Sequence, residues 1–563
     1  MKHSYRTCSL LLALWVLCPA LAAGQQLEGL GSQQAFSFHG NFSANLIGYN
    51  ANGIVARGDP FSLMLSANAT ASFYGISMPF SFRFSNKRAD YSQPFNQFGL
   101  RPTYKWAKAH IGYSSVNFSN YTMGGHKFLG GGLELNPGKF RFGLVYGRFK
   151  KATTAFEQAI DTTSTLTRKG FATKIGIGSE KTFFDLIMLK IKDDSTTVLQ
   201  PSGQYTPAEE NLVTGFNTRI QLSENFSFES EMALSVYTTD VSAVPIENFD
   251  SLENRKIYKE AERFMAVNQS TDLLTAIRSS VNYTQKNFNT RLEYRRVDPG
   301  YRSMGTYYLN NDIENITIAP GLSLMNRKLN LRGSIGLQRD NLQNTKKATS
   351  LRTISSLNAS YNPSHIFGID LNYSNYASNQ RAGRVPLIDS LKLFQTTHNL
   401  SIMPRLMFSG MKYNHMFMLM VGRMELRDNN VFTSQFTENQ ALLANFNYNF
   451  SLLQHGLSFL IGANYNELKN ALVSSEAIGF TFGASKSFLE GKLMLGWNNS
   501  YIQTDQDLGK GRVINSSVNS TYQVARNHAL RFNLYYINSS NPDGITTQKF
   551  NETKGDMTYV FTF

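Results

Sequence analysis

The segment DMTYVFTF, residues 556–563, alternates polar and apolar side chains up to its final aromatic residue. Met557, Tyr559, Phe561 and Phe563 therefore share one face of an extended strand. Large apolar side chains on an exposed strand face need a cover. In a bilayer, acyl chains provide that cover, and the backbone groups must pair within a closed sheet because no water reaches them. The segment predicts the last strand of a transmembrane β-barrel, paired with a first strand at 35–49.

The same period of two recurs along the chain. Apolar and polar residues alternate over 36–46, 226–236 and 329–338. This period predicts strands with one apolar face. Strands of this kind are longer than the ~5–6 residues usual in globular sheets. They match the ~9–11 residues that cross a bilayer at a tilt.

Short turn sequences divide the chain at intervals, for example at 136–139, 223–225, 362–365 and 489–492. About 12 such tight turns alternate with longer connections. The fold class predicted is all-β: a closed antiparallel transmembrane β-barrel of about 26 strands, within roughly 24 to 28, with tight periplasmic turns and longer extracellular loops. The alternative is a soluble β-sandwich or β-helix array, which lacks tight turns alternating with long loops.

The N-terminal residues have the pattern of a secretory signal peptide. Lys2 and Arg6 precede a short apolar run, and small residues follow it at 20–22. We therefore expect residues 1–23 to be removed on export.

The expected remainder is a short periplasmic segment, 24–34, followed by the barrel, 35–563. Cys8 and Cys18 are the only cysteines of the sequence and lie within the signal peptide. The exported chain therefore has no disulfide, no cysteine metal site and no catalytic thiol.

The C-terminal segment resembles the assembly signal of Gram-negative outer-membrane β-barrel proteins, which the barrel-assembly machinery recognises. Tyr559, Phe561 and Phe563 match its aromatic ending, and Thr558 stands where that class prefers glycine. The resemblance covers about eight residues and the general strand pattern. It implies a porin-like outer-membrane protein without indicating a specific family.

The composition is aromatic-rich and cationic, with 13% aromatic residues, 17% charged residues and a formal net charge of +15. A cationic excess suits contact with outer-membrane lipid and lipopolysaccharide, or passage of anions. Nucleic acid is not an expected partner, because the basic residues are spread over strands and turns rather than gathered in an aromatic-flanked patch.

Alternation assigns the polar faces of the strands to the lumen and supplies candidate site residues. The basic candidates are Arg219, Arg278, Arg291, Arg295, Arg332 and Arg352. The acidic candidates are Glu229, Glu231 and Glu293. Such a wall attracts anions or an acidic plug, or it braces the barrel through cross-strand ion pairs. The sequence leaves both interpretations open.

The longest connection, 241–270, is the one loop with a helical pattern. Ile257, Tyr258 and Ala261 fall on one face of the predicted helix. Folding into the lumen would cover that face and would set the acidic residues of the loop opposite the arginines. This arrangement resembles the constriction loop of general porins. The alternative is a surface helix packed on other loops.

Met416, Met418 and Met420 share one strand face, with Phe417 and Leu419 on the other. Thioethers can bind Cu(I), but packing is the more ordinary role of methionine. We interpret the three methionines as an apolar patch in the lumen, facing a plug, a loop or a partner. No metal or other cofactor is predicted.

No enzyme motif is present in the sequence, and no catalytic residue is predicted. A barrel of this size needs a filled lumen, and 24–34 is too short for an N-terminal plug domain. The first hypothesis is a channel for small polar or anionic solutes, narrowed by infolded loops. The second is a non-enzymatic structural or translocation component whose lumen or loops engage a partner protein. The solute, the partner and the oligomeric state stay open.

Overall fold

The computed structural model describes residues 35–86, 97–152, 165–197, 206–247, 254–385, 387–470, 474–507, 509–542 and 547–563. The predicted signal peptide and the segment 24–34 lie outside the described residues. Within the described residues, no helix is both long and apolar enough to cross a membrane.

Nearly every element is a long antiparallel strand. The strands are β1 (Phe36–Asn52), β2 (Phe61–Phe73), β3 (Ile76–Ser85), β4 (Gln97–Leu100), β5 (Thr103–Tyr104), β6 (Ala107–Asn117), β7 (Gly124–Leu135), β8 (Phe140–Lys150), β9 (Thr167–Gly178), β10 (Phe183–Asp194), β11 (Glu210–Gln221), β12 (Phe226–Thr238), β13 (Thr271–Thr284), β14 (Phe288–Val297), β15 (Ile313–Leu324), β16 (Leu329–Arg339), β17 (Ala348–Tyr361), β18 (Phe367–Ala382), β19 (Phe394–Ser409), β20 (Tyr413–Asp428), β21 (Asn439–Leu452), β22 (Leu457–Asn470), β23 (Ser474–Phe488), β24 (Leu493–Gln506), β25 (Gly509–Ala525), β26 (His528–Pro542) and β27 (Thr547–Thr562). The α-helices are α1 (Arg255–Glu262) and α2 (Ser434–Thr437), and short 3-10 helices lie at Asp389–Leu391, Leu453–His455 and Leu489–Gly491.

The strands form one closed barrel. Apart from β4 and β5, strands that follow one another in the chain pair antiparallel, and β1 pairs with both β2 and β27. Strands β4 and β5 both lie between β3 and β6, so they are two pieces of one barrel strand. The barrel therefore has 26 strands, which confirms the predicted fold class. The predicted tight turns fall between strands, and longer connections alternate with them.

The closing seam explains the aromatic ending of the chain. Phe42 lies opposite Phe561 in the β1–β27 register. The ring of Phe563 stacks on Phe38 with centroids 4.7 Å apart. The backbone N–H of Gly40 donates to the Phe563 carbonyl at 2.8 Å, and the Phe563 N–H donates to the Gly40 carbonyl at 3.0 Å. The final residue is thus part of the ladder that closes the sheet.

We expect Phe563→Ala to lower the yield of assembled barrel severalfold, because the change removes the ring stacked at the seam and the terminal aromatic residue. The measurement is the fraction of heat-modifiable, folded protein in isolated outer membranes. Met557→Ala, on the same strand face but away from the terminus, is the matched control. Equal yields for the two variants would contradict the assembly role predicted for Phe563.

The outer face of the barrel is apolar and exposed. Large apolar side chains that point outward and are at least one-third exposed include Leu144, Ile175, Phe184, Leu186, Ile316, Ile318, Ile335 and Leu337. A continuous apolar surface of this kind is far larger than a water-soluble monomer presents. Lipid is the environment that suits it.

The buried core lies on the other side of the wall, inside the barrel along β6–β14. Two connections fold inward there: residues 118–123, between β6 and β7, and residues 298–312, between β14 and β15. We call them the inner loops. Their apolar side chains pack with inward-facing residues of the wall into one buried cluster, which includes Phe118, Tyr121, Met123, Phe149, Leu189, Val213, Ala276, Val297, Tyr301 and Met304.

Candidate functional site

The inner loops are joined to each other by backbone and side-chain hydrogen bonds. Met123 and Gly305 form a parallel β-bridge. The Gly124 N–H donates to the Gly305 carbonyl at 3.0 Å. The Tyr301 hydroxyl donates to the Tyr121 carbonyl at 2.8 Å. The two loops therefore act as one layer inside the barrel.

A single carboxylate ties this layer to strand β12. Glu231 accepts hydrogen bonds from the Ser119 hydroxyl, from Asn120 Nδ2 at 2.9 Å and from the Tyr121 backbone N–H at 3.1 Å. Glu231 is only 6% exposed. Both oxygens of Glu231 are therefore occupied by donors of the first inner loop.

Asn211 on β11 is the second anchor and is fully buried. Its Nδ2 donates to Ser235 Oγ at 2.9 Å and to the Val236 carbonyl at 3.0 Å, while its Oδ1 accepts from the Met304 N–H at 3.0 Å. Ser235 Oγ in turn donates to the Arg302 carbonyl at 2.7 Å. The wall thus satisfies the backbone of the second inner loop.

Tyr301 is one of the bulky side chains of this buried layer and is 1% exposed. Its ring meets that of Tyr121 edge to face, with centroids 6.2 Å apart. Burial raises the pKa of the Tyr301 hydroxyl, so the group stays protonated and remains a hydrogen-bond donor.

Five of the predicted lumen residues meet on this same wall. Arg219 Nη2 lies 2.9 Å from Glu229 Oε1. Arg291 Nη2 lies 2.9 Å from Glu293 Oε2, and Arg278 Nη2 lies 2.8 Å from the same oxygen. The three arginines and two glutamates brace neighbouring strands, as the second sequence interpretation expects.

Bracing leaves some arginine donors unused. In the part of the chain that the structure describes, the buried Nε atoms of Arg278, Arg291 and Arg295 have no hydrogen-bond partner. Arg278 and Arg291 line a cavity of about 170 Å³ that also contacts Glu229 and Glu231. Unmatched buried donors are rare in native proteins and call for a ligand, an ion or water.

The other three arginine candidates do not take part in this cluster of ion pairs. Arg295 Nη2 donates to the Asn310 carbonyl of the second inner loop at 3.4 Å. Arg352 pairs with Asp340 at 3.1 Å. Arg332 lines a cavity of about 310 Å³ next to Asp370. The described residues give Arg295 and Arg332 no ion pair within 4 Å.

The predicted helix forms but does not enter the lumen. Helix α1 spans Arg255–Glu262. Ala261 packs in a buried cluster with Leu212, Val236 and Leu273. Those three strand residues point outward, because Asn211, Ser235 and Leu274, which alternate with them, pack inside.

The expectation that the 241–270 loop folds into the lumen is therefore wrong. The outer wall presents an apolar surface on which α1 packs, at the long-loop end of the barrel. The lumen wall at that position is covered by the inner loops.

The three candidate methionines share the inward face of β20. Register places Met416 opposite Met407 and Met418 opposite Arg405 on β19. Arg405 itself pairs with Asp370 at 2.8 Å. The methionines are half-buried, so within the described residues this patch is less covered than the wall behind the inner loops.

A serine, a histidine and a glutamate also line up on the inward faces of β6 and β7. His110 Nδ1 lies 2.7 Å from Ser114 Oγ, and His110 Nε2 lies 2.8 Å from Glu134 Oε1. Ser114 is 2% exposed. A nucleophile this deeply buried cannot reach a substrate carbonyl, so the arrangement favours a structural network over acyl-transfer chemistry.

The sequence pattern did not point to the residues that anchor the inner loops, apart from Glu231. Asn211 has no local signal, since it is one of many asparagines on polar strand faces. Residues 118–123 and 298–312 have no helical period and are ordinary loop sequences. The one available signal was an excess of apolar residues on the inward faces, for example Leu189 and Val213.

No protein-family model and no curated protein sequence matches the chain. Similar solved structures include Pseudomonas aeruginosa OpdQ, at 11% identity over 94% of this chain and 98% of the other, with a TM-score of 0.32. P. aeruginosa OccK2 (OpdF) in complex with glucuronate matches at 10% identity over 94% and 100%, with a TM-score of 0.29. The outer membrane protein opdK of P. aeruginosa matches at 8% identity over 68% and 98%, with a TM-score of 0.29. At these levels the likeness is one of barrel architecture only.

Proposed function

We propose that the protein is an outer-membrane channel that passes small polar or anionic solutes along the arginine-bearing wall of its lumen. The observation that carries the proposal is the set of buried Nε donors on Arg278, Arg291 and Arg295 that lack a partner within the described residues. A carboxylate or another small oxyanion would match these planar donors. The inner loops support the proposal because they narrow the barrel beside the same wall.

The charge balance of the wall also favours anions. The six candidate arginines face the three candidate glutamates and Asp340, which leaves more cations than anions. Within the described residues, two of these six arginines, Arg295 and Arg332, have no ion pair. In a narrow space between low-dielectric walls, such an excess concentrates anions from solution.

Neutralising Arg291, Arg295 and Arg332 together by substitution with glutamine should lower the anion-over-cation permeability ratio by roughly fivefold or more. The measurement is the reversal potential of single channels in a planar bilayer under a salt gradient. Arg296→Gln, Arg339→Gln and Arg423→Gln together remove the same charge from the outer face and form the control. A silent wild-type barrel, or equal selectivity in both triple variants, would contradict the proposal.

The inward methionines favour a second candidate function, in which a partner protein occupies part of the lumen. Met407 and Met416 are direct cross-strand neighbours in the lumen, and exposed thioethers suit an adaptable protein contact. The discriminating experiment is gentle purification from native membranes. A stoichiometric partner that is lost on Met416→Gln, and no conductance by the isolated barrel, would favour the partner function over the channel.

A further inference from the structure

A row of three cations crosses three neighbouring strands near the long-loop end of the barrel. Arg148 on β8 lies opposite Lys169 on β9. Lys169 in turn lies opposite Lys192 on β10. Like charges on directly opposite positions of a sheet are destabilising. Such a row persists most readily where an anion binds across it.

The row points away from the lumen. Tyr146, two residues before Arg148, is 62% exposed on the outer face. Phe184 and Leu186 share the outer face of β10 with Lys192 and are exposed as well. The side chains of Lys169 and Lys192 are 53% and 54% exposed.

The height of the row matches the outer edge of a membrane. Eight residues separate Phe184 from Lys192, about 26 Å along a strand. A strand tilt of ~35–45° reduces this to roughly 20 Å along the membrane normal, close to the ~25 Å apolar band of outer-membrane barrels. Lys192 therefore lies at headgroup level on the side of the long loops.

Protein carboxylates compensate the row only in part. Asp194 lies 3.3 Å from Lys169 Nζ. Glu210 lies 3.8 Å from Lys192 Nζ, but it also pairs with Lys190. Within the described residues, the four cations Arg148, Lys169, Lys190 and Lys192 thus have two carboxylates beside them.

A second outward row on the same barrel end shows the contrast. There Glu314 stands between Arg296 on one side and Arg339 on the other. Glu314 contacts both arginines. That row contains its own counter-charge between its cations, whereas the Arg148–Lys169–Lys192 row does not.

Helix α1 extends the same surface. Lys256 and Lys259 are exposed on it, and Phe264, just beyond its end, is 58% exposed. The Ala266 N–H donates to Glu210 Oε2 at 3.0 Å, which joins the helix segment to the row. The helix also carries Glu260 and Glu262, so its contribution to the surface is two exposed lysines rather than a large net charge. An amphipathic helix with exposed lysines and an exposed aromatic residue, lying against the outer wall at headgroup level, is typical of an interfacial lipid contact.

We propose that Arg148, Lys169 and Lys192 form a binding site for the phosphate groups of the lipid A headgroup of lipopolysaccharide, with helix α1 as its flank. Each ammonium or guanidinium group can form a charge-assisted hydrogen bond to a phosphate oxygen. A lipid is favoured over a soluble acidic protein because the apolar band continues directly below the row. The inference rests on the outer-membrane location of the proposed function and is independent of conduction.

The test is the affinity of the purified full-length barrel, in neutral detergent, for fluorescent lipid A. Replacing Arg148, Lys169 and Lys192 together with glutamine should weaken lipid A binding by roughly tenfold or more. Lys181→Gln, Lys286→Gln and Lys328→Gln together remove the same charge from exposed tight turns at the other end and should leave binding unchanged. Heat-modifiable migration of both variants establishes that each is folded.

Four further measurements define the result. Dephosphorylated lipid A should bind the wild-type barrel as weakly as lipid A binds the row variant, and inorganic pyrophosphate should compete only weakly. Equal losses in both triple variants, or undiminished binding of dephosphorylated lipid A, would overturn the proposal. So would an acidic protein that co-purifies with the wild type and is lost from the row variant while lipid A binding is unchanged. Conductance of the row variant should match wild type, which separates failure of this inference from failure of the channel.

Discussion

Replacing Glu231 with glutamine should raise single-channel conductance and release the inner loops from the wall. The carboxylate of Glu231 accepts hydrogen bonds from Ser119, Asn120 and Tyr121. Glutamine presents an NH₂ group to these donors and leaves buried polar groups unmatched. The expected loss is about 2 kcal/mol of docking free energy, or a roughly 30-fold larger undocked population.

Two measurements check this result. Planar-bilayer recording should show a larger or more variable conductance than wild type. Hydrogen exchange at the Gly124 amide, which donates to Gly305, should accelerate by a similar factor. Glu229→Gln is the matched control, since Glu229 lies on the same strand face and pairs with Arg219 and Arg291. Among the described residues, Glu229 has no hydrogen bond or ion pair with either inner loop. Equal effects of the two substitutions would show that lost charge, rather than lost anchoring, is responsible.

Tyr301→Ala should detach the inner loops more completely than Glu231→Gln. The substitution empties the centre of the buried layer and removes the hydrogen bond to the Tyr121 carbonyl. Removal of a buried aromatic ring costs about 3–5 kcal/mol. The barrel itself should stay assembled, because the strand ladder and the outer apolar face are untouched.

The expected signature is fast amide exchange in residues 118–124 with unchanged heat-modifiable migration. Tyr301→Phe keeps the ring and should cost only about 1 kcal/mol. Tyr308→Ala lies in the same loop, where Tyr308 is 82% exposed, and should be neutral. Slow exchange in Tyr301→Ala, or equally fast exchange in Tyr308→Ala, would refute the role of Tyr301 as the centre of the layer.

The geometry of the lumen wall also shows which features of the candidate site can be predicted from the sequence. Alternation predicts that Arg278, Arg291 and Glu293 share one face, since a strand presents every second residue to the same side. In the structure both arginines contact Glu293. Alternation does not predict which arginine pairs with which glutamate. That depends on the register between neighbouring strands, which the turns and the packing of the whole sheet set together.

For a related reason, the sequence does not predict the surface on which helix α1 packs. An amphipathic helix specifies that one face must be covered but not by what. Two surfaces could in principle cover the helix: the lumen wall, and the outer wall with Leu212, Val236 and Leu273. The inner loops cover the lumen wall, so the outer wall is the surface that remains for α1. One of these loops contacts Glu231 from more than 100 residues away in the sequence.

The sequence by itself determined the barrel: the period of two, the alternation of tight turns with long loops and the aromatic ending are local patterns, and lipid makes them sufficient. The tertiary structure alone decided which loops enter the lumen, where α1 lies and that Arg148, Lys169 and Lys192 form one row. These features join residues across long, variable connections. Their contacts follow from register and packing, which no local pattern encodes.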